Sequence, residues 1–362
     1  MGKLDALIKQ INKDYKEEIA FSGNDAALMK YELVPFSSPR LNYMLYGGLP
    51  MGRMIEFAGA ERSGKTTTAL DMAAQCQKKF EEEYEFELSK RTLSTIEVVK
   101  RKVCFVDAEN TFDVEWATKL GVNVEDLILI KPQEQYAEQI FEIMRAVVET
   151  GEVGLIVLDS VAQLVSKQAF EEDIEKKTYG GIAMSLTKFC NIIVPLLGKY
   201  NCMCIMINQV REDLNNPYNQ FITPGGRGFK HNCSVRLMFQ QGDFLDVNYK
   251  HLTRGCENPA GNEVNIRIEK SKVCRSDRRL GYYTLNYLTG IDYINDMIDV
   301  LLQTGGIIQN GSYFILVDVE TGEVLTEPDG KEIKVQGRTN LYKRLKEDEG
   351  LYELISSKVS YN

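Results

Sequence analysis

Histidine is scarce in this chain: His231 and His251 are the only two among 362 residues. A Ser-His-Asp or Cys-His hydrolase needs a histidine beside its nucleophile, so both classes are disfavoured. The eight cysteines, at 76, 104, 190, 202, 204, 233, 256 and 274, include no Cys-x-x-Cys pair. Neither a zinc ligand set nor a disulfide scaffold follows from that spacing. Several stand inside apolar runs, as in Lys102-Val-Cys-Phe-Val106 and Cys202-Met-Cys-Ile-Met206, and read as buried small hydrophobes. No run approaches the ~20 apolar residues that cross a bilayer. The richest stretches, Val153–Leu158 and Met203–Ile207, are strand-sized. The opening Met-Gly-Lys-Leu-Asp-Ala has no apolar h-region, and Ala6 stands where a myristoylation signal wants Ser or Thr. A soluble cytosolic protein with no membrane partner is the expectation. Low-complexity tracts, internal repeats and an acidic tail are also missing.

Positive charge is in deficit overall, with 43 Lys and Arg against 52 Asp and Glu. A net charge of −9 argues against general adhesion to nucleic acid, which needs clustered cations. What the chain has in plenty is apolar material, 44% of residues, enough for a large core.

Leu4, Leu7, Ile8, Ile11, Tyr15 and Ile19 recur at helical spacing, so an N-terminal helix carries one apolar stripe. That stripe packs either on its own core or on a neighbouring subunit. From residue 54 onward apolar strands alternate with helices. Strands are expected at Met54–Ala58, Val103–Asp107, Leu127–Ile130, Gly154–Leu158 and Met203–Asn208. Helices are expected from Thr66 to about Phe80, from about Val114, near 134–149 and near 181–200. The rhythm signals a parallel α/β sheet covered on both faces. Residues 81–101 are charge-rich and read as a solvated excursion between helix and strand. After residue 230 the pattern turns to strands and hairpins: Ser234–Phe239, Val264–Lys270 and Gly281–Leu288. Residues 291–362 read as a small appended α+β domain. It has an amphipathic stretch Ile294–Leu302, a hairpin within Gly311–Thr326 and a helix around Leu341–Lys358.

Gly59-Ala60-Glu61-Arg62-Ser63-Gly64-Lys65-Thr66 matches G-x-x-x-x-G-K-[ST] between an expected strand and an expected helix. Glycines let backbone N–H groups curl around a phosphate, and the helix N-terminus adds partial positive charge. Lys65 reaches the β- and γ-phosphates and the Thr66 hydroxyl ligates Mg²⁺. A phosphate loop also needs a carboxylate for the metal and a group that activates water. Asp159 ends the strand Leu155-Ile-Val-Leu158 and suits the metal role; the alternative is a helix N-cap. Glu109 follows Val103-Cys-Phe-Val-Asp107-Ala and suits a general base; the alternative is a surface loop acid. Asn208-Gln209 ends another strand, where an amide can sense the γ-phosphate.

These motifs, in this order, resemble the RecA family of DNA strand-exchange ATPases. Gly47-Gly-Leu-Pro-Met-Gly-Arg53 precedes the phosphate loop as in that family, and Gly59–Thr67 with its acid Glu61 resembles the family's loop. Asp107-Ala-Glu109 followed by Asp113 is similar to the strand with the catalytic glutamate. Leu158-Asp159-Ser-Val-Ala162 resembles the second nucleotide motif, and Ile207-Asn-Gln209-Val-Arg211 the strand into the second DNA loop. The likeness covers roughly residues 30–290, and the flanks look closest to bacterial and T4-type phage recombinases. It implies a RecA-like α/β core over 35–290, an N-terminal segment 1–34 docking on the neighbouring protomer and a C-terminal domain over 291–362. Trp116, the single tryptophan, would stack on adenine with Asp113 nearby. Residues 166–180 and 211–228 would be the DNA loops, with Lys188, Arg211, Gly225, Gly226 and Arg227 facing DNA. Lys270 and Lys272 would enter the ATP site of the adjacent protomer. The Phe170–Thr178 segment is more acidic than a DNA-facing loop of that family, and Ser185 and Ile192 stand where it has arginines.

The resemblance thus implies an ATP- and Mg²⁺-dependent recombinase in the cytoplasm of a bacterial or phage-infected cell. It would form helical filaments on single-stranded DNA and pair them with homologous duplex, served by single-strand-binding and loader proteins. A hexameric helicase is a second reading, disfavoured because only about 30 residues precede the core. A nucleotide-gated scaffold or mediator paralogue is a third. The joint presence of Lys65, Thr66, Glu109, Asp159 and Gln209 speaks against it.

Overall fold

The computed structural model describes residues 3–15, 20–21, 31–90, 98–171, 181–212, 221–253, 255–275, 277–359 and 361. The chain divides into two compact units, Met1–Glu32 and Leu33–Asn362. In the first, helix α1 (Lys3–Tyr15) has no buried residue, and Leu4 and Leu7 are exposed. The Asn12 side chain brackets the backbone N–H and carbonyl of Ala20.

In the second unit, α2 (Pro39–Met44) starts at Ser38, whose hydroxyl accepts from Leu41 N. Among the described residues, ten strands form one sheet. In chain order they are β1 (Met54–Gly59), β2 (Lys102–Asp107), β3 (Leu127–Ile130), β4 (Val153–Asp159), β5 (Met203–Gln209), β6 (Val235–Leu245), β7 (His251–Leu252), β8 (Gly261–Ser271), β9 (Leu280–Asn286) and β10 (Gly290–Ile291). The sheet order is β10-β9-β8-β6-β1-β5-β4-β2-β3, with β7 paired to β6. From β6 to β3 every pairing is parallel; from β6 to β10 every pairing is antiparallel.

The helices that cover it are α3 (Lys65–Ser89), α4 (Val114–Lys119), α5 (Ala137–Glu149), α6 (Ala183–Lys199) and α7 (Gly226–Asn232). Alternation along each parallel strand divides its side chains between two cores. Ile55, Phe57, Phe105, Val157 and Ile205 join Leu70, Met72 and Phe80 of α3. Cys104, Ile156, Cys204 and Met206 join Phe141 of α5 and Phe189 and Ile193 of α6 on the other face. Six cysteines are buried in these cores and all eight are free thiols, which fits their reading as small hydrophobes.

The register sets up the site. Gly59 lies opposite both Gln209 and Phe239, and Asp107 lies opposite Asp159. The C-terminal ends of β1, β2, β4 and β5 therefore present Gly59, Asp107, Asp159 and Gln209 along one edge, where parallel α/β sheets place their ligands.

A third core gathers residues from 294 onward. Helix α8 (Tyr293–Thr304) is followed by antiparallel strands Ile307–Asn310, Tyr313–Leu316 and Lys334–Gln336, then α9 (Arg338–Glu347) and α10 (Glu349–Ser357). The expected single terminal helix is two, because Asp348 breaks it and caps α10 through Leu351 N (2.9 Å).

The expected excursion at 81–101 is also corrected. Helix α3 continues for 25 residues, past Phe80 to Ser89. The glutamates that make this stretch look solvated are good helix formers. Glu83 also pairs with Lys79 (3.2 Å) and Arg101 (2.5 Å), and Glu81 with Lys100. Residues 91–97 lie outside the described residues.

Candidate nucleotide site

The phosphate loop is the turn between β1 and α3, and two of its glycines are required by packing. A Cβ on Gly59 would lie 2.5 Å from the Phe239 carbonyl oxygen. Gly64 has φ +92°, and a Cβ there would meet Val264 methyls at 2.8 and 2.9 Å. Glu61 and Arg62 are exposed, whereas Ser63 and Lys65 are buried. Lys65 Nζ donates to the Ala60 carbonyl (2.6 Å) and to Ser63 Oγ (3.4 Å). Burial lowers its pKa, an effect opposed by Asp159, Glu109 and Glu61. The loop thus holds a poorly hydrated ammonium on its own backbone, ready to exchange a carbonyl for a stronger anionic partner.

Thr66 Oγ1 donates to Asp159 Oδ2 at 2.6 Å. Asp159 is 3% exposed, and its pKa is pushed up to about 6. Burial is the main cause; Glu109 and Asp107 add to it, and Thr66 and Lys65 oppose it. A buried carboxylate among like charges, offset by one hydroxyl and the nearby Lys65, can take a further cation. Its hard oxygen donors suit Mg²⁺, which takes one or two protein oxygens and completes its shell with water and phosphate. Among the described residues no group of three or more His, Cys, Asp or Glu forms an all-protein metal cage.

Glu109 follows β2 as the sequence places it. Its Oε1 accepts from Gln209 Nε2 (3.0 Å) and from Ser160 Oγ (2.5 Å). Two donors on one oxygen orient the carboxylate, and among the described residues no hydrogen bond reaches Oε2. Ser160 is the residue that sequence reasoning missed. It appeared only as the neighbour of Asp159, and its role depends on β2 and β4 lying side by side. Asp107 is structural: fully buried, it accepts from Thr111 N and Phe112 N (both 3.0 Å) and shapes the turn behind Glu109.

Asp113 is the N-cap of α4, accepting from Trp116 N at 3.0 Å. Trp116 Nε1 donates to Thr67 Oγ1 (3.3 Å), so the half-buried indole lies against the first turn of α3. A cleft of about 440 Å³ opens beside the loop, lined by Lys65, Thr66, Gln241, Phe244, Asn262 and Tyr287 among others. Neither Trp116 nor Glu109 lines it.

Other predicted residues lie away from this cluster. Lys270 is opposite Arg236, which is opposite Glu56, three residues back along β1 from Gly59. Lys270 Nζ donates to the carbonyls of Lys230 (2.7 Å) and His231 (2.9 Å), and Lys272 Nζ to that of His231 (3.0 Å). Both ammoniums thus rest on the carbonyl end of α7, where the helix dipole favours cations. Of the segment 166–180, Lys167–Glu171 is a short helix and 172–180 lie outside the described residues. Of 211–228, Arg211–Glu212 pairs with Phe221–Ile222, and 213–220 lie outside the described residues. Gly225 (φ +101°) and Gly226 (φ +74°) start α7, and a Cβ on Gly225 would strike Leu186 at 2.7 Å. Those glycines therefore have a packing role. Lys188, Arg211 and Arg227 are exposed.

The RecA N-terminal domain family model matches residues 2–292. Protein RecA of Cereibacter sphaeroides is 32% identical over 324 residues, covering 88% of this chain and 85% of the relative. Protein RecA of Paracoccus denitrificans is 30% identical over 360 residues, covering 98% and 88%. That of Chlorobaculum tepidum is 30% identical over 362 residues, covering 99% and 92%. Among solved structures, the RadB recombinase matches with a TM-score of 0.49 and 20% identity, over 72% of this chain and 98% of that one. The chain belongs to the RecA family.

Proposed function

We propose that the cluster at the C-terminal edge of the sheet is the site at which this chain binds and hydrolyses ATP with Mg²⁺. The chain is a DNA recombinase of the RecA family and a DNA-dependent ATPase; what is proposed is which residues do the work. The observation that carries the assignment is the convergence of Lys65, Thr66, Asp159, Ser160, Glu109 and Gln209 from four strand ends. Gly59 to Thr67 hold the nucleotide phosphates, with Lys65 leaving Ala60 to meet them. Thr66 and Asp159 hold Mg²⁺, which neutralises phosphate charge when bound. Glu109 orients the attacking water through the oxygen that Ser160 and Gln209 leave open. Trp116, beside Thr67, takes the adenine face.

The filament reading draws support from the lysines. Among the described residues, the hydrogen bonds of the Lys270 and Lys272 side chains go to carbonyls on α7 and none goes to the phosphate loop of their own chain. Cations held this way are available to a neighbour's γ-phosphate, which would tie hydrolysis to assembly on single-stranded DNA. The exposed apolar stripe of α1 suits the docking of segment 1–34 on the adjacent protomer. Lys188, Arg211 and Arg227 would supply backbone contacts, leaving sequence choice to base pairing with homologous duplex. No helix among the described residues is long and apolar enough to cross a membrane. The cytoplasm, with single-strand-binding and loader proteins as accessories, is the proposed setting.

The test is ATP turnover with and without single-stranded DNA while Trp116 fluorescence is followed. Stimulation by DNA with a nucleotide-dependent Trp signal supports the whole reading. Equal turnover without DNA points to another activator, and a Trp signal without turnover points to a nucleotide-gated scaffold.

A further inference from the structure

Glu56 stands in the middle of β1, a strand buried on both faces, and is itself 0% exposed. Its neighbours Met54, Ile55, Phe57 and Ala58 are all buried and apolar. A carboxylate in such a place is costly unless it is paired and hydrogen-bonded. Here it is both. Arg236 Nε donates to Oε2, and Asn208 Nδ2 donates to Oε1 at 2.9 Å.

Three functional segments meet on this pair. Asn208 immediately precedes Gln209, whose amide holds Glu109. Asn208 Nδ2 also donates to the Pro224 carbonyl (3.0 Å), and Arg236 Nη2 to Thr223 Oγ1 (3.4 Å), so the returning leg of segment 211–228 is tied to the same two residues. Lys270 lies directly across from Arg236 in the antiparallel register. Its pKa is lowered by burial and then by Lys272, and the charges of Arg236 and Glu56 act on it as well. Among the described residues, Asn208 Oδ1 is buried with no hydrogen-bond partner. Asn208 therefore has an unused acceptor at the junction, available to a second hydrogen-bond arrangement.

We propose that Glu56 and Arg236 are a positioning pair that couples the nucleotide end of β5 to the returning leg of 211–228 and to the Lys270 strand. The inference rests on reading 211–228 as a DNA-contacting segment. A nucleotide that draws Gln209 away from Glu109 moves Asn208 with it. Asn208 cannot move without loosening either Glu56 or Pro224, and a shift of Glu56 carries Arg236 and Thr223. Such coupling is reciprocal, so DNA on the segment changes nucleotide affinity by the factor with which nucleotide changes DNA affinity.

Two variants test it: Glu56→Gln, and the double variant Glu56→Leu with Arg236→Met. A buried ion pair replaced by apolar side chains of similar volume commonly folds at least as stably. The double variant thus separates folding from coupling. The measurements are ATP turnover with and without single-stranded DNA, and DNA affinity with and without a non-hydrolysable ATP analogue. In both variants the nucleotide-dependent gain in DNA affinity should fall by about tenfold, with DNA-free turnover and KM for ATP near wild type. Variants that keep the wild-type gain and stimulation overturn the inference alone, since the wild type would still respond to DNA. A wild type that ignores single-stranded DNA overturns the functional reading and this inference with it.

Discussion

Two buried aspartates, Asp159 at the nucleotide edge and Asp296 where α8 meets α2, are in almost equal burial but are tied to different parts of the fold. Both pKa values are pushed up, to about 6 and about 7 respectively, and burial is the main cause in each. Asp296 is answered by the protein on several sides. Ser38 Oγ donates at 2.5 Å, Thr284 N at 3.2 Å, and Arg40 pairs with it at 3.7 Å. Asp159 has one hydroxyl, from Thr66, and Lys65 as a nearby cation, against Glu109 and Asp107, which raise it further; Asp292 does the same to Asp296. The two differ in where their partners come from: those of Asp296 lie on α2 with its cap and on β9, which it ties to α8, whereas those of Asp159 lie within the nucleotide edge. Here Asp296 joins the third core to the sheet, and Asp159 is the carboxylate proposed to hold the metal.

The largest effects should come from removing charge on the nucleotide side. Lys65→Ala is expected to lower turnover about 10³-fold or more and to abolish nucleotide binding, measured by equilibrium titration. Glu109→Ala should bind nucleotide normally yet turn over about 10²- to 10³-fold more slowly. Unchanged turnover would remove Glu109 from its role.

Stability is where the two aspartates part. Asp296→Ala leaves Arg40 its pair with Asp299 but strips Ser38 Oγ and Thr284 N of their acceptor, and should cost about 1–3 kcal/mol in denaturant unfolding. Asp159→Asn removes a repelled carboxylate while keeping its shape, so the nucleotide-free protein should be no less stable than wild type. The same variant should lose Mg²⁺-dependent turnover. Equal destabilisation by both substitutions would erase the distinction drawn here.

How legible each region is follows from the distance over which its residues are brought together. The phosphate loop is a local pattern of eight residues, so spacing alone reveals it. Asp159, Glu109 and Gln209 are readable because each closes an apolar run, and in a parallel sheet those ends share one edge. Ser160 and Glu56 carry no such mark. Ser160 meets a glutamate 51 positions away, and Glu56 an arginine 180 positions away. Only strand order makes them neighbours. Asp296 and Ser38, 258 positions apart, are further still from any sequence pattern. The run to Ser89 in α3 was obscured for another reason: its apolar stripe stops at Phe80, and helix propensity with ion pairs carries the rest.

A smaller effect separates the members of the proposed catalytic cluster. Ser160→Ala removes one of two donors on Glu109 Oε1 while Gln209 keeps the other. If the serine only orients Glu109 as the proposed base, turnover should fall about tenfold with KM for ATP unchanged. A rise in KM instead would place Ser160 in binding.

The finest test uses pH and asks one carboxylate for two slopes of opposite sign. In the nucleotide-free fold Asp159 has a pKa of about 6 against an ordinary 3.8. A raised acid favours the folded state when protonated. Its contribution is therefore fully present below 3.8 and is lost as pH rises through about 6. A bound cation needs the ionised form, so Mg²⁺–nucleotide affinity should instead rise with pH up to about 6. One proton released on binding makes that rise about tenfold per pH unit. Asp296 and Asp71 titrate in overlapping ranges, so the comparison is wild type against Asp159→Asn in paired titrations. The variant should keep the stability slope owed to those two acids and lose the affinity slope. An affinity slope that survives the substitution would assign the bound proton to another group and leave Asp159 as a structural acid like its counterpart.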